Sequence, residues 1–207
     1  DRIRAVVRKV VKDTLGSKPY RTKHEAAGLS NSVFSIEHSA GEFIVRVNSD
    51  RDKRSVFQKE QWVTARARVA GVPVPEILKV GSDPMPYMIL HKTPGESAIL
   101  SSDRHRVLQQ LGDYAALINS IQTHGFGESF DWADKQTSSR SKRHQSLRAA
   151  FKLEEGLKLL RVRRMLVERQ ISKIRRALET AYGTGRTPAL NHGDLRLKNV
   201  IVDKKGE

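Results

Sequence analysis

Apolar residues recur at helical spacing at the start of the chain. Gaps of three and four residues place six of them on one face of a helix: Ile3, Val6, Val7, Val10, Val11 and Leu15. Gly16 and Pro19 follow, and both residue types commonly lie at or just beyond a helix end. The pattern therefore predicts an amphipathic helix over residues 2–15.

The segments that follow are short, apolar and separated by turn residues, which is the pattern of strands. Strands are predicted over residues 31–36, 43–47, 77–80 and 87–90. A helix over residues 50–71 is predicted between the second and the third of these strands. Its predicted inward residues are Phe57, Trp62, Ala65 and Val69. The VPVPEI stretch after this helix is predicted to be extended, because proline restricts its own backbone and that of the residue before it.

The pattern becomes helical after Pro94 and Gly95. The remaining predicted elements are an amphipathic helix over residues 103–123, a long basic helix over 143–182, and short strands at 189–190 and 200–202. A strand-rich front half, residues 1–92, thus precedes a mostly helical back half, residues 93–207. We expect an α+β fold with two lobes that meet near residue 93.

Composition places the chain among soluble globular proteins, since 38% of its residues are apolar and 29% are charged. No apolar run reaches the roughly 20 residues that a membrane span needs. The chain has no cysteine, which excludes disulfides and thiolate metal sites. We expect a soluble cytoplasmic protein with no membrane partner.

Positive charge is concentrated in one segment. The chain carries a net charge of +15, and residues 140–176 hold thirteen Lys or Arg against three Glu. Such a segment can bind nucleic acid by releasing counterions from phosphates. The alternative is the solvated face of a long helix, which the scarcity of aromatic residues in the segment favours. We therefore expect no nucleic-acid partner, although the net charge alone does not exclude one.

The stretch LNHGDLRLKNVIVDKKGE, residues 190–207, carries the most informative chemistry. A loop between two short strands can hold the carboxylate of Asp194 close to the amide of Asn199. Phosphoryl transfer needs little more than a group that orients the nucleophile and cations around the phosphate. The alternative is a turn stabilised by the side chains of Asp and Asn.

HGDLRLKNVIVD resembles the catalytic loop of the aminoglycoside phosphotransferase/choline kinase-type family, whose members are relatives of the protein kinases. Further stretches match that family in order: AAGLSNSVFSIE, EFIVRVN, FQKEQW, AGVPVPEIL and YMILHKTPG. The resemblance runs from about residue 20 to the end. It implies a protein-kinase-like two-lobe fold, with a strand-rich N-lobe that has one main helix, and a mostly helical C-lobe. It also implies transfer of the γ-phosphate of ATP to a hydroxyl of a small molecule.

The resemblance also implies roles for individual residues. Asp194 would orient the acceptor hydroxyl, and Asn199 would hold Mg²⁺. Arg46, paired with Glu60, would hold the nucleotide phosphates, since a charge on an apolar strand is costly unless it is paired. The alternatives are an ordinary exposed ion pair for Arg46 and a plain surface position for Glu60.

The remaining nucleotide contacts implied by the resemblance come from two segments. The backbone around Gly28, Ser30 and Asn31 would cover the phosphates, although these residues could also form a simple turn. The other implied contacts lie at the hinge, where the backbone from His91 to Thr93 holds the adenine and Met88 or Leu90 lines its pocket.

Two further residues of the loop have expected roles. His192 would support the backbone of Asp194 and take no part in the chemistry. Arg196 lies where protein kinases carry a lysine that touches the transferred phosphate, so we hypothesise that it stabilises charge in the transition state. The alternative is a solvent-facing arginine.

The end of the chain departs from the family pattern. Residues 203–206 read as a hairpin turn that calls for a returning strand, and the family's second metal ligand lies on that strand, beyond Glu207. We therefore expect a weakly active or inactive piece of a kinase, whose strand 200–202 is an unpaired edge. A nucleotide-binding relative without catalysis is the alternative. The acceptor, the choice between ATP and GTP, and the oligomeric state stay open.

Overall fold

The computed structural model of the chain describes residues 2–25, 31–123, 152–182 and 187–203. Its internal contacts divide it into two units: Asp1–Ile118 with His192–Glu207, and Asn119–Asn191. The lobe boundary near residue 93 that the sequence suggests stays a prediction.

A five-stranded antiparallel sheet forms the centre of the first unit. Its strands are β1 (Tyr20–Glu25), β2 (Ser32–His38), β3 (Gly41–Val47), β4 (Ile77–Gly81) and β5 (Tyr87–His91), in the order β1-β2-β3-β5-β4. The four strands predicted from the sequence are all present, with ends shifted by one or two residues. Strand β1 was missed because YRTKHE lacks apolar alternation, and its four central residues are exposed. Its pairing with β2 makes it a strand.

Helix α1 (Arg2–Leu15) covers one face of this sheet, as its apolar stripe predicts. Its four buried valines pack with the alternate residues Phe43, Val45 and Val47 of β3. Because successive side chains of a strand point to opposite faces, Ile44 and Arg46 belong to the other face. The same alternation therefore fixes the core on one side of β3 and presents a cation on the other side.

Helix α2 (Lys53–Val69) has a different inward face from the predicted one. Phe57 and Ala67 are buried, whereas Ala65 is exposed and Val69 is 88% exposed. The prediction is confirmed for Phe57, Trp62 is half-buried, and the prediction was wrong for Ala65 and Val69, because not every apolar residue of this helix follows the stripe that begins at Phe57. Glu60 lies one turn after Phe57, so it shares the side of α2 that faces the protein.

A second, two-stranded sheet holds the segment after the candidate catalytic loop. Strand β6 (Glu96–Ser97) pairs with β7 (Ile201–Val202), so the strand expected to be an unpaired edge has a partner. Gly95 precedes β6 with a φ of +124°, a conformation that residues with a side chain rarely adopt. A Cβ at this position would overlap the carbonyl oxygen of Val202. Glycine is therefore required for β6 to approach β7.

Helix α3 (Arg104–Ser120) lies within the range predicted from its apolar spacing. In the second unit the basic helical region predicted over 143–182 is helical but interrupted, because the described residues contain α4 (Leu153–Val162) and α5 (Glu168–Tyr182) with a turn between them. Residues 143–151 of that prediction lie outside the described residues. Arg164 in that turn has a φ of +53°, which a continuous right-handed helix does not allow. The predicted strand at 189–190 is a single bridge between Ala189 and Gln122.

The two helices of the basic segment pack on each other through Leu153, Leu157 and Ile171. Arg161 pairs with Glu168, and Arg175 pairs with Glu154. Among the described residues, no helix is both long enough and apolar enough to cross a membrane.

We predict that Gly95→Ala lowers the free energy of unfolding by about 2 kcal/mol or more, since both the left-handed backbone and the overlap with β7 are unfavourable. Gly112→Ala is the matched control: Gly112 lies in α3 with no atom within 4 Å of an added Cβ. It should be neutral or gain up to about 1 kcal/mol of stability. Urea unfolding of both variants measures this, and equal stabilities would contradict the role given to Gly95.

Candidate active site

The loop from His192 to Asn199 turns at Gly193, whose φ of +74° suits glycine. The Asp194 backbone N–H donates a hydrogen bond to Nδ1 of His192 at 3.3 Å. His192 thus contacts the backbone of Asp194, as the sequence suggests, and does not contact its carboxylate. The turn and this bond set the direction in which the Asp194 side chain leaves the loop.

Asp194 is held by two neighbours, and we call this arrangement the Asp194 clamp. Arg196 donates a hydrogen bond from Nη2 to Oδ2 of Asp194 at 2.9 Å, and its Nε lies 2.6 Å from Oδ1 in an ion-pair contact. Asn199 donates from Nδ2 to the same Oδ2 and to the carbonyl oxygen of Asp194, both at 2.9 Å. The side chains of Asp194, Arg196 and Asn199 are therefore brought together as the loop motif predicts.

The clamp determines the charge on Asp194. The hydrogen bond from Arg196, and then the one from Asn199, lower the pKa of Asp194 below its ordinary value because both stabilise the carboxylate. A lowered pKa means that the negative charge persists as the pH falls and is lost only below the usual range of aspartate. Asp194 is consequently an ionised hydrogen-bond acceptor at neutral pH.

Apolar side chains anchor the loop beneath the clamp. Leu195, Leu197 and Val200 pack against a buried cluster formed by Ala98, Val107, Leu111 and Val202. The N–H of Ala98 also donates to the carbonyl oxygen of Val200 at 3.0 Å. The loop is thus anchored to the buried cluster through residues 195, 197 and 200, while residues 194, 196 and 199 make polar contacts.

Arg46 forms the second cluster of the site. Its Nη1 donates to Oε1 of Glu60 at 2.5 Å, and its guanidinium lies 5.4 Å from the centre of the Phe57 ring. The Arg46 side chain is 25% exposed. The ion pair that the sequence predicts is therefore present, and the Arg46 side chain keeps some exposure to solvent. That Arg46 binds the nucleotide phosphates stays a prediction.

Asn31 lies at the start of β2 and contacts a residue that the sequence reading missed. Asn48 is buried, donates from Nδ2 to Oδ1 of Asn31 at 2.8 Å, and accepts from the N–H of Asp50 at 2.8 Å. The sequence signal for this hydrogen bond was an asparagine at the end of the otherwise apolar EFIVRVN stretch. Gly28 and Ser30 lie outside the described residues.

The predicted hinge follows β5. Met88 pairs in register with Arg46, and Leu90 pairs with Ile44, so both side chains share the Arg46 face of the sheet. Met88 is fully buried, whereas Leu90 is half-buried. Residues that share a face with Arg46 are suitably placed to line a pocket beside it.

Two backbone N–H groups at the predicted hinge already donate hydrogen bonds within the protein. The N–H of His91 donates to Glu76, and that of Lys92 donates to Glu42. The His91 ring lies 4.9 Å from the Phe43 ring. Among the described residues, the backbone N–H of Thr93 has no hydrogen-bond acceptor. Thr93 is therefore the hinge position whose backbone can donate to a ligand.

The residues present fit a magnesium ion only partially. The described chain contains no group of three His, Cys, Asp or Glu that could hold a metal. Asn199, however, uses its Nδ2 for Asp194, and within the described residues its Oδ1 accepts no hydrogen bond. An amide oxygen suits Mg²⁺, which commonly takes its other ligands from phosphates and water.

Comparison with known proteins gives a consistent family and fold. A model of the phosphotransferase enzyme family matches residues 24–207. A search of the curated proteins found no match.

Several solved structures share the fold at low sequence identity. A thermostable mutant of aminoglycoside phosphotransferase APH(4)-Ia, in complex with AMP-PNP and hygromycin B, is 21% identical, with a TM-score of 0.62 over 96% of this chain and 67% of that one. A protein assigned as a fructosamine-3-kinase from Haemophilus somnus 129PT is 17% identical, with a TM-score of 0.63 over 96% and 68%. Macrolide 2'-phosphotransferase MphH from Brachybacterium faecium is 17% identical, with a TM-score of 0.57 over 97% and 68%.

The fold predicted from the sequence, α+β and protein-kinase-like, is thus confirmed. The chain spans about two thirds of the length of these solved structures.

We predict that Glu60→Gln lowers the free energy of unfolding by about 1–2 kcal/mol, because it leaves the half-buried Arg46 without its charged partner. Glu42→Gln is the matched control, since its partner Lys92 is more exposed. It should cost less than about 1 kcal/mol. Chemical denaturation compares the two variants, and a larger loss for Glu42→Gln would contradict the prediction.

Proposed function

The chain belongs to the phosphotransferase enzyme family, and from that membership we propose that it transfers the γ-phosphate of ATP, with Mg²⁺, to a hydroxyl of a small molecule. The observation that carries the proposal is the ionised carboxylate of Asp194, fixed by two neighbours within one loop. Phosphoryl transfer depends mainly on positioning and on electrostatic stabilisation, and the clamp supplies the positioning.

Asp194 acts on the acceptor in this proposal. Its carboxylate accepts a hydrogen bond from the acceptor hydroxyl and aims the hydroxyl oxygen at the γ-phosphorus. The new bond joins that oxygen to phosphorus while the bond from phosphorus to the β–γ bridging oxygen breaks, and ADP leaves. The hydroxyl proton passes to Asp194. A lowered pKa suits this role, because the carboxylate mainly has to orient the hydroxyl and does not have to be a strong base.

Asn199 completes the loop's contribution to the reaction. Its free Oδ1 is the oxygen that would hold Mg²⁺, together with the nucleotide phosphates. When bound, the ion supplies positive charge against the phosphate oxygens. The Nδ2 of Asn199 meanwhile stays on Asp194, so one side chain links the metal position to the acceptor position.

Arg46 and the hinge would bind the nucleotide. Arg46, held by Glu60 and Phe57, places positive charge on the face of the sheet that Met88 and Leu90 share. We propose that this charge meets the phosphates, with Asn31 near the loop that covers them. The free N–H of Thr93, beside His91, would donate to the adenine, since hinge recognition uses backbone groups.

The acceptor is proposed only as a class. The structural relatives are described with hygromycin B, a macrolide and fructosamine, which are compounds rich in hydroxyl groups. Fold alone does not choose among them. Nucleic acid binding by the basic segment stays an alternative, although among its described residues Arg161 and Arg175 are paired with glutamates.

We predict that Asp194→Asn lowers the rate of ATP hydrolysis, with water as the acceptor, by about 10²–10⁴-fold, because an amide is a weaker acceptor and takes no proton. AMP-PNP affinity, measured by calorimetry, should change less than about threefold, since Asp194 touches the acceptor. Asp113→Asn, an exposed aspartate of α3, is the control and should keep the native rate. Equal rates for the native protein and Asp194→Asn would refute the proposed role.

Asn199 can be tested through the metal. In the native protein Mg²⁺ should strengthen AMP-PNP binding, and Asn199→Ala should remove most of that gain because the metal-facing oxygen is lost. Asn199→Asp keeps an oxygen and should retain the gain, although it loses the donor to Asp194 and should therefore turn over slowly. Calorimetry with and without Mg²⁺ measures both variants. A magnesium gain that survives in Asn199→Ala would exclude Asn199 as a ligand.

A further inference from the structure

We infer that Arg196 is a positioning residue that acts through Asp194: its guanidinium fixes the plane of the carboxylate, so that the acceptor hydroxyl binds one defined oxygen, Oδ1. The inference rests on the proposed function and deepens it. It gives Arg196 a different role from the direct stabilisation of the transferred phosphate that its sequence position suggests.

The geometry of the contact favours orientation over simple charge. Two nitrogens of Arg196 contact different oxygens of Asp194: Nη2 donates a hydrogen bond to Oδ2 at 2.9 Å, and Nε lies 2.6 Å from Oδ1 in an ion-pair contact. A planar guanidinium that contacts both oxygens in this fork restricts the plane of the carboxylate, which a single contact would leave free to rotate. Lysine, with a compact ammonium group, cannot reproduce this fork.

The hydrogen bonds are distributed unequally over the two oxygens. Oδ2 of Asp194 accepts from Arg196 and from Asn199, whereas among the described residues Oδ1 has only the ion-pair contact with Nε of Arg196. A carboxylate oxygen can accept about two hydrogen bonds. Oδ2 is therefore saturated, and the open position for a hydroxyl donor lies on Oδ1.

The contact between Arg196 and Asp194 is not part of the buried core, but the loop that carries it is anchored to the core. Leu195 and Leu197 pack into the buried cluster on either side of Arg196, so the guanidinium is carried by an anchored backbone. The side chains of Arg196 and Asp194 are 54% and 52% exposed. Folding does not depend on a pair this exposed, and Arg196 variants should fold.

Substitutions separate orientation from charge. The rate of ATP hydrolysis, with water as the acceptor, should fall about 10–100-fold in both Arg196→Ala and Arg196→Lys, since neither keeps the fork. AMP-PNP affinity should stay within about threefold of the native value. Lys198→Ala is the matched control, because it removes one positive charge from the same loop and leaves the fork intact; its rate should fall less than about threefold.

A double-mutant comparison tests whether Arg196 acts through Asp194. In the Asp194→Glu background the carboxylate is displaced, so Arg196→Ala should cost less than about threefold. The inference is overturned if Arg196→Ala costs the same factor in both backgrounds, if Arg196→Lys keeps the native rate, or if the main loss is in AMP-PNP affinity.

Nuclear magnetic resonance gives a readout that is independent of turnover. The Arg196 Nε–H should appear as a distinct proton–nitrogen signal that shifts in Asp194→Asn and stays in place in Asp113→Asn. No shift in Asp194→Asn would overturn the inference, even if Asp194→Glu is too slow to assay. A native protein that neither binds AMP-PNP nor hydrolyses ATP would instead refute the proposed function, while the resonance still reports on the fork.

Discussion

A guanidinium on an apolar strand must find a carboxylate, because an unpaired charge at such a position is costly. In β3 the alternation of side chains sends Phe43, Val45 and Val47 to α1 and leaves Arg46 on the opposite face. Glu60 of α2 satisfies that charge, and the pair joins the helix to the face of the sheet that Met88 shares with Arg46. The assembly of the first unit and the placement of its cation therefore have the same cause.

The loop from His192 to Asn199 shows the same division between apolar and polar positions over a much shorter segment. Leu195, Leu197 and Val200 enter the buried cluster, while Asp194, Arg196 and Asn199 are left to bond with one another. Gly95 lets β6 approach β7 closely enough to hold the end of this loop. Rigid support from apolar contacts is what allows exposed polar groups to keep a fixed geometry.

The sequence predicted the elements that a local pattern determines. It was less informative about elements that depend on pairing between distant segments. Helix α1 and the strands from β2 to β5 follow from periodicity. The loop motif predicted the contact between Asp194 and Asn199, and the EFIVRVN and FQKEQW stretches predicted the Arg46–Glu60 pair. Strand β1 was missed because its residues are polar and only its partner makes it a strand. The turn at Arg164 was missed because basic residues continue through it. Contacts between distant residues, such as β6 with β7, leave no local signal.

The two arginine–carboxylate pairs differ in exposure, and exposure separates their roles. Arg46 is largely shielded from water, so its pair with Glu60 contributes to stability and keeps the cation in place before any ligand arrives. The pair of Arg196 with Asp194 competes with solvent and adds little to stability. We infer that its value lies in geometry, since a hydrogen bond and an ion-pair contact from a planar group, with a hydrogen bond from Asn199, restrict a carboxylate that would otherwise rotate. The partly buried pair contributes to the stability of the first unit, and the exposed pair is the one that we propose aligns a reacting group.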